Sequence, residues 1–293
     1  MTGTDEFFAA AAEGRETSAE AWHAYLEAFH TRLPEANELF TYLRRPNGDT
    51  SYSVVAKAIV AASPSAILDA GCGDGNLLEE LIERLPQAHI VALDTNIAEL
   101  NIARTRYGHV KNVQFVEGDL RALPFGDARF DCVASHQVVN LFPDSALALG
   151  EIARVLRPGG LLVFAANRSF SQYQTANWQV LNAAGLDALR ARYPMFKWPR
   201  MGEARAYTED GLRELFADEA LWQPGSVQFF NFKLSALTTP AHVAAMFGRL
   251  YVYGTLPERA AILAAVERRA EELAIGEFVD IELPFRVTTV RRA

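Results

Sequence analysis

Apolar positions change their period at about residue 64. Before it they fall at helical spacing. Ala19, Trp22, Leu26 and Phe29 lie three or four apart behind Ser18, a hydroxyl suited to capping, which predicts a helix over residues 18–33. Arg45-Pro-Asn-Gly48 reads as a turn, and residues 52–62 as a second helix ended by Pro64. From residue 66 onward, short apolar runs alternate with amphipathic stretches. Residues 66–70, 90–93, 113–116, 130–135 and 160–165 read as strands, separated by helices over 77–85, 97–107 and 145–156. Strands with no polar face need cover on both sides. Helices between consecutive strands supply it through right-handed crossovers, so the pattern predicts a parallel sheet with its core between about 64 and 166.

Beyond residue 166 the alternation stops. Residues 168–206 carry Phe170, Tyr173, Trp178, Tyr193, Phe196 and Trp198 and read as an inserted cap. A helix over 208–217 capped by Thr208, a sixth strand over 226–233, helical sequence over 238–274 and a last strand or strand pair over 278–290 complete the chain. The expected organisation is an N-terminal helical cap segment, residues 1–62, and one domain over 63–293 with cap insertions at about 168–206 and 236–276.

Composition narrows the partners. The 36 acidic and 28 basic side chains leave a net charge of −8, which weighs against nucleic acid and anionic membrane, since both want a basic face. No apolar run approaches the ~20 residues that span a bilayer. The first 12 residues lack a basic n-region and an apolar core, so no signal peptide and a cytoplasmic location are expected. Cys72 and Cys132 are expected as buried thiols of a reducing compartment. His23, His30, His89, His109 and His242 show no metal-ligand spacing, and no metal is expected.

The chemistry-bearing stretch is Asp69-Ala-Gly71-Cys-Gly73-Asp-Gly75, which follows a strand and opens a helix. Glycines there let the chain turn sharply and a ligand approach the backbone, and the helix N-terminus favours an anionic or polar group. Asp94 follows Gly71 by 23 residues at the end of the second strand, where a carboxylate can accept from both hydroxyls of a ribose. The third glycine arrives one position earlier than in the dinucleotide fingerprint G-x-G-x-x-G. Asp119 also follows a strand end, where a lone carboxylate would be wasted in a core.

With these residues in place the chain resembles the class I S-adenosylmethionine-dependent methyltransferases. The likeness runs through Asp69 to Gly75, Val91-Ala-Leu-Asp94, Val116-Glu-Gly-Asp119-Leu-Arg-Ala-Leu-Pro-Phe125, Phe130-Asp-Cys-Val-Ala-Ser135 and Ala153-Arg-Val-Leu-Arg-Pro-Gly-Gly-Leu-Leu-Val-Phe164. It implies an α/β fold: a doubly wound, Rossmann-like, seven-stranded and mostly parallel sheet with an antiparallel last strand. It implies S-adenosyl-L-methionine as cofactor and transfer of its methyl group to O, N or C of a small metabolite, as in secondary metabolism. The resemblance sets Gly71, Gly73 and Gly75 against the methionine part of the cofactor and Asp69 near its ammonium. It sets Asp94 on the ribose, Asp119 on the adenine amino group with Leu120 beside the ring, and Tyr52 over the methionine end. Ser135, closing the fourth strand, joins the cofactor-binding set.

Methyl transfer from a sulfonium needs alignment and exclusion of water, and a base only where the acceptor must lose a proton. His136, at the end of the fourth strand, is the candidate base. Asn167, followed by Arg168 at the end of the fifth, is a candidate for orienting the acceptor. The many aromatics favour a small, partly apolar acceptor enclosed away from water. Two other readings stay open, a nicotinamide-dependent Rossmann oxidoreductase and a non-catalytic cofactor-binding relative. A monomer or homodimer is expected.

Overall fold

The apolar runs form one seven-stranded sheet. Its strands are β1 (Ala66–Ala70), β2 (His89–Asp94), β3 (Val113–Glu117), β4 (Phe130–His136), β5 (Leu156–Asn167), β6 (Gln228–Thr238) and β7 (Val279–Arg291), in the order β3-β2-β1-β4-β5-β7-β6. β1 pairs in parallel with β2 and β4, β2 with β3, and β4 with β5, whereas β5 and β7 run antiparallel. The expected doubly wound α/β sheet with an antiparallel last strand is the sheet observed. The helices are α1 (Gly3–Ala12), α2 (Ala19–Arg32), α3 (Leu39–Tyr42), α4 (Ser51–Val60), α5 (Asn76–Arg84), α6 (Ile97–Tyr107), α7 (Ser145–Val155), α8 (Asn177–Arg192), α9 (Glu209–Leu215), α10 (Pro240–Phe247) and α11 (Arg259–Leu273). This computed structural model describes residues 3–33, 38–143, 145–168, 177–199, 202–249, 256 and 258–293. Phe170 and Tyr173, two of the aromatics in the expected cap insertion, lie outside the described residues.

The chain divides into two compact units, Asn47–Ser169 with Gly202–Phe232 and Pro284–Ala293, and Met1–Pro46 with Phe170–Met201 and Lys233–Leu283. The first holds β1 to β5 whole. The central strands β1, β2 and β4 lose their polar faces as expected, with Ile67, Leu68, Ala92, Leu93, Cys132 and Val133 all inaccessible to solvent, whereas β3, at the sheet edge, keeps Gln114 and Glu117 exposed. Thr50 caps α4 through Ser53 N at 3.0 Å, and this helix falls in the same unit as β1 to β5. Asn96 caps α6, and Thr208 caps α9 as expected.

In the second unit α1 and α2 pack around an aromatic cluster. Phe7 stacks on Tyr25 with ring centroids 4.3 Å apart and tilts against Trp22 at 5.4 Å. Ser18 caps α2 as expected, accepting from Ala21 N at 3.1 Å. The aromatic-rich insertion is mainly the 16-residue helix α8, whose buried residues Trp178, Leu181, Gly185 and Leu189 recur at helical spacing. Trp178 meets Phe247 of α10 at 4.5 Å.

Candidate functional site

β1 ends in a turn built from three left-handed glycines, Gly71 (φ 81°), Gly73 (φ 53°) and Gly75 (φ 93°). The amides of Gly71 and Cys72 both donate to Leu93 O, at 2.8 and 2.9 Å, and so tie the turn to the end of β2. A Cβ on Gly71 would collide with the Val138 side chain, which follows β4. Gly71→Ala therefore combines overpacking with a left-handed alanine. It is expected to lower stability by roughly 2–4 kcal/mol, read as a fall in the urea midpoint at unchanged slope.

Asp69 lies in β1 beside Ala134 of β4 and is 1% exposed. Neither of its carboxylate oxygens meets a hydrogen-bond donor among the described residues. Burial, with the Asp94 charge second, pushes its pKa up to about 8. An unpartnered buried carboxyl is costly unless something else completes it. Ser135 Oγ, at the end of β4, is likewise buried without a partner among the described residues. The thiol of Cys72 is pushed well up, by burial first and then by Asp69 and Asp94, so it stays protonated. Cys72 and Cys132 are both buried free thiols.

Asp94 is half-buried at the end of β2, and its two oxygens accept from Gly73 N and Asn96 N, each at 2.8 Å. The glycine turn and the Asp94 carboxylate are thus one hydrogen-bonded unit. Asp119 departs from expectation in one respect. It is no lone carboxylate, because Arg121 pairs with it through Nη2 at 2.6 Å and Nε at 3.1 Å. Leu120, beside it, is buried in the core cluster that also holds Leu93 and Val133.

His136 closes β4 and is 8% exposed. Its ring lies between Tyr52, stacked at 4.0 Å, and Phe285 of β7, stacked at 5.6 Å, and its Nε2 is 2.8 Å from Ser51 Oγ. Burial lowers its pKa to about 3. So weak a base does not suit the proton-removing role expected from its position at the strand end. Next to it Gln137 adopts a left-handed backbone, φ 60°, and its Nε2 donates to Asn167 Oδ1 at 2.8 Å. The expected residues therefore gather at the carboxyl ends of β1, β2, β4 and β5. Tyr52 joins them at β4 through its stack on His136. Asp119 and Leu120 follow β3. Sequence reasoning missed Ser51, Phe285 and the conformation of Gln137. No local signal marks the first two, since both meet His136 only through tertiary pairing.

Among the described residues no group of three or more His, Cys, Asp or Glu is placed to hold a metal ion, and no helix is long and apolar enough to cross a membrane.

Residues 68–164 match the family described as "methyltransferase domain". The fatty-acid O-methyltransferase of Mycolicibacterium smegmatis is 33% identical over 147 residues, 50% of this chain and 50% of that protein. The demethylmenaquinone methyltransferase of Deinococcus radiodurans is 40% identical over 109 residues, 37% of this chain and 45% of that protein. The chain spans about half the length of the curated relatives it matches. In three dimensions the YcgJ protein of Bacillus subtilis aligns with a TM-score of 0.53 at 17% identity, covering 82% of this chain and 99% of that one, a likeness of fold.

Proposed function

We propose that this chain, whose residues 68–164 match the methyltransferase-domain family, is a class I S-adenosylmethionine-dependent methyltransferase that transfers a methyl group from S-adenosyl-L-methionine to O, N or C of a small, partly apolar acceptor. The observation that carries this reading is Asp69. A carboxylate buried at a glycine turn, with no donor on either oxygen among the described residues, fits a ligand that brings its own cation, and the methionine ammonium is one. Asp94 fits the ribose: its oxygens accept from the backbone N–H groups of Gly73 and Asn96, which fixes a half-buried carboxylate beside the glycine turn, where the two hydroxyls would meet it. Asp119 and Leu120 serve the adenine, with Arg121 holding the Asp119 carboxylate in place. The left-handed glycines give the turn along which the methionine chain would lie, and Ser135 Oγ adds a hydrogen-bonding group close by. When bound, S-adenosyl-L-methionine supplies a methyl group already activated on a sulfonium.

The chain's own part is then to hold, orient and dry the acceptor. We assign His136 a positioning role. It holds the Tyr52 ring by stacking and is itself held by Ser51 and Phe285. His136→Ala is expected to cost about 2–4 kcal/mol of stability, since it opens a cavity between two rings and leaves a buried hydroxyl unpaired. The turnover of the parent chain should show no ionisation from this residue between pH 5 and 8. An acid limb near pH 6–7 that vanishes in His136→Gln would restore the base role.

The reading as a whole is tested by thermal shift with S-adenosylhomocysteine and, separately, with NAD. Stabilisation by the first alone supports it, and stabilisation by NAD alone overturns it.

A further inference from the structure

The ends of β4 and β5 carry a pair of amides whose polarity is fixed by the backbone. The Asn167 N–H is an unambiguous donor, and it points at Gln137 Oε1, 3.3 Å away. That sets the Gln137 amide with its oxygen on the Asn167 backbone, and its Nε2 then donates to Asn167 Oδ1 at 2.8 Å. The second bond sets Asn167 in turn. Its oxygen is taken, and no group among the described residues accepts from its Nδ2, on a side chain that is only half-buried. Gln137 holds its place with a left-handed backbone that glycine or asparagine would adopt more readily, a strained conformation of the kind that gathers at functional sites. The pair stands at the carboxyl ends of adjacent parallel strands, where open α/β sheets bind their ligands.

We propose that Gln137 fixes Asn167 as an obligate donor, and that Asn167 Nδ2 thereby selects an acceptor bearing an oxyanion, a carboxylate or an acidic phenol or enol. This rests on the methyl-transfer reading and names its substrate class. His136, the titratable side chain beside the pair, is stacked between two rings and bonded through Nε2 to Ser51, so it removes no proton from the acceptor. An acceptor that arrives ionised needs none removed. A lone pair of its oxygen forms the new O–CH3 bond as the C–S bond breaks, and the bonding pair stays on sulfur, leaving a neutral thioether. The Asn167 Nδ2 donor orients the oxygen and offers an ammonium no acceptor.

The test uses the full chain saturated with S-adenosylhomocysteine, titrated calorimetrically with hexanoate, decanoate, 4-nitrophenolate, hexylamine and decylamine. At least one oxyanion is expected to bind about 10-fold or more tightly than either amine. Gln137→Glu cannot donate to Asn167 Oδ1, and Asn167→Asp replaces the donor by an acceptor. Each is expected to weaken that oxyanion about 10-fold or more with little change in S-adenosylhomocysteine affinity. Gln137→Gly relieves the backbone and removes the pin, so it should lose the oxyanion without losing stability, which separates polarity from folding. Carboxylate and phenolate arms distinguish the two oxyanion sources. Amines bound as tightly as oxyanions, no oxyanion bound, or an oxyanion held equally well by Asn167→Asp overturns the proposal. A parent chain that gives no heat with S-adenosylhomocysteine is detected before any acceptor is added, and it overturns the methyl-transfer reading and this inference with it.

Discussion

Asp94→Ala should erase most of the rise in melting temperature that S-adenosylhomocysteine confers. Ligand bound only to the folded chain at about 100 times its dissociation constant stabilises by about 2.7 kcal/mol. A hydrogen bond to a charged acceptor is worth roughly 1.5–3 kcal/mol, and Asp94 is assigned two ribose hydroxyls. Losing them raises the dissociation constant at least tenfold, and at the same ligand concentration little stabilisation survives. The substitution acts a second way, because Asp94 Oδ2 also holds Gly73 N in the glycine turn. The unliganded variant should therefore melt lower than the parent. The quantity to compare is the shift on adding ligand, measured for each protein against its own baseline by scanning fluorimetry. A full-sized shift in Asp94→Ala would remove the ribose assignment.

Asp69→Asn is expected to have the opposite effects on stability and on binding. With a folded pKa of about 8, the native chain keeps its Asp69 proton over a range in which the unfolded chain, at 3.8, has lost it. Between those values the native state binds more protons than the unfolded one. The stability this group contributes is full below pH 4 and falls as pH rises, by up to roughly 1.4 kcal/mol per unit, until about pH 8. Asn keeps the shape and cannot ionise, so the unliganded variant should be more stable than the parent at pH 7 and its stability flatter from pH 4 to 8. Binding should suffer: a neutral amide in place of a buried carboxylate loses the ion pair with the ammonium, and affinity should fall at least tenfold. His136 works in another window. Its pKa is about 3 when folded against an ordinary 6.5, so its burial removes stability as pH falls from 6.5 toward 3. Denaturant titrations of parent and Asp69→Asn across pH 4–8 read the difference. Parallel curves, with no gain for the variant at pH 7, would show that Asp69 titrates as an ordinary carboxyl.

What was legible in the chain follows from how local each cause is. Strands β1 to β5 are short, mostly apolar stretches bounded by turn residues, and their length with those bounds assigns them. The glycine turn is legible because its three left-handed positions need glycine, and Asp94 because its distance from the turn is the length of one helix and one strand. α8 is masked by composition: the aromatics on either side of it mark a cap, although Trp178, Leu181, Gly185 and Leu189 stand at helical spacing. The Asp119–Arg121 pair is local too, its members two residues apart in the chain. The setting of His136 was not visible. It needs β7 to run back antiparallel to β5 and carry Phe285 to the ring, and α4 to bring Ser51, contacts 149 and 85 residues away along the chain. Without them a histidine at a strand end reads as a base; with them it is a buried, neutral ring. The left-handed turn at Gln137 has no sequence signature either, since glutamine gives no hint of positive φ.

The most direct test of the central claim, that the Asp69 carboxyl waits for the cation of S-adenosyl-L-methionine, is calorimetric titration of the full chain with S-adenosylhomocysteine at pH 7 in buffers of different ionisation enthalpy. Most Asp69 side chains are protonated at that pH and must ionise to receive an ammonium. Binding should therefore release close to one proton per site in the parent chain and about none in Asp69→Asn. Heats that do not depend on the buffer, or equal proton release from both proteins, would contradict the account.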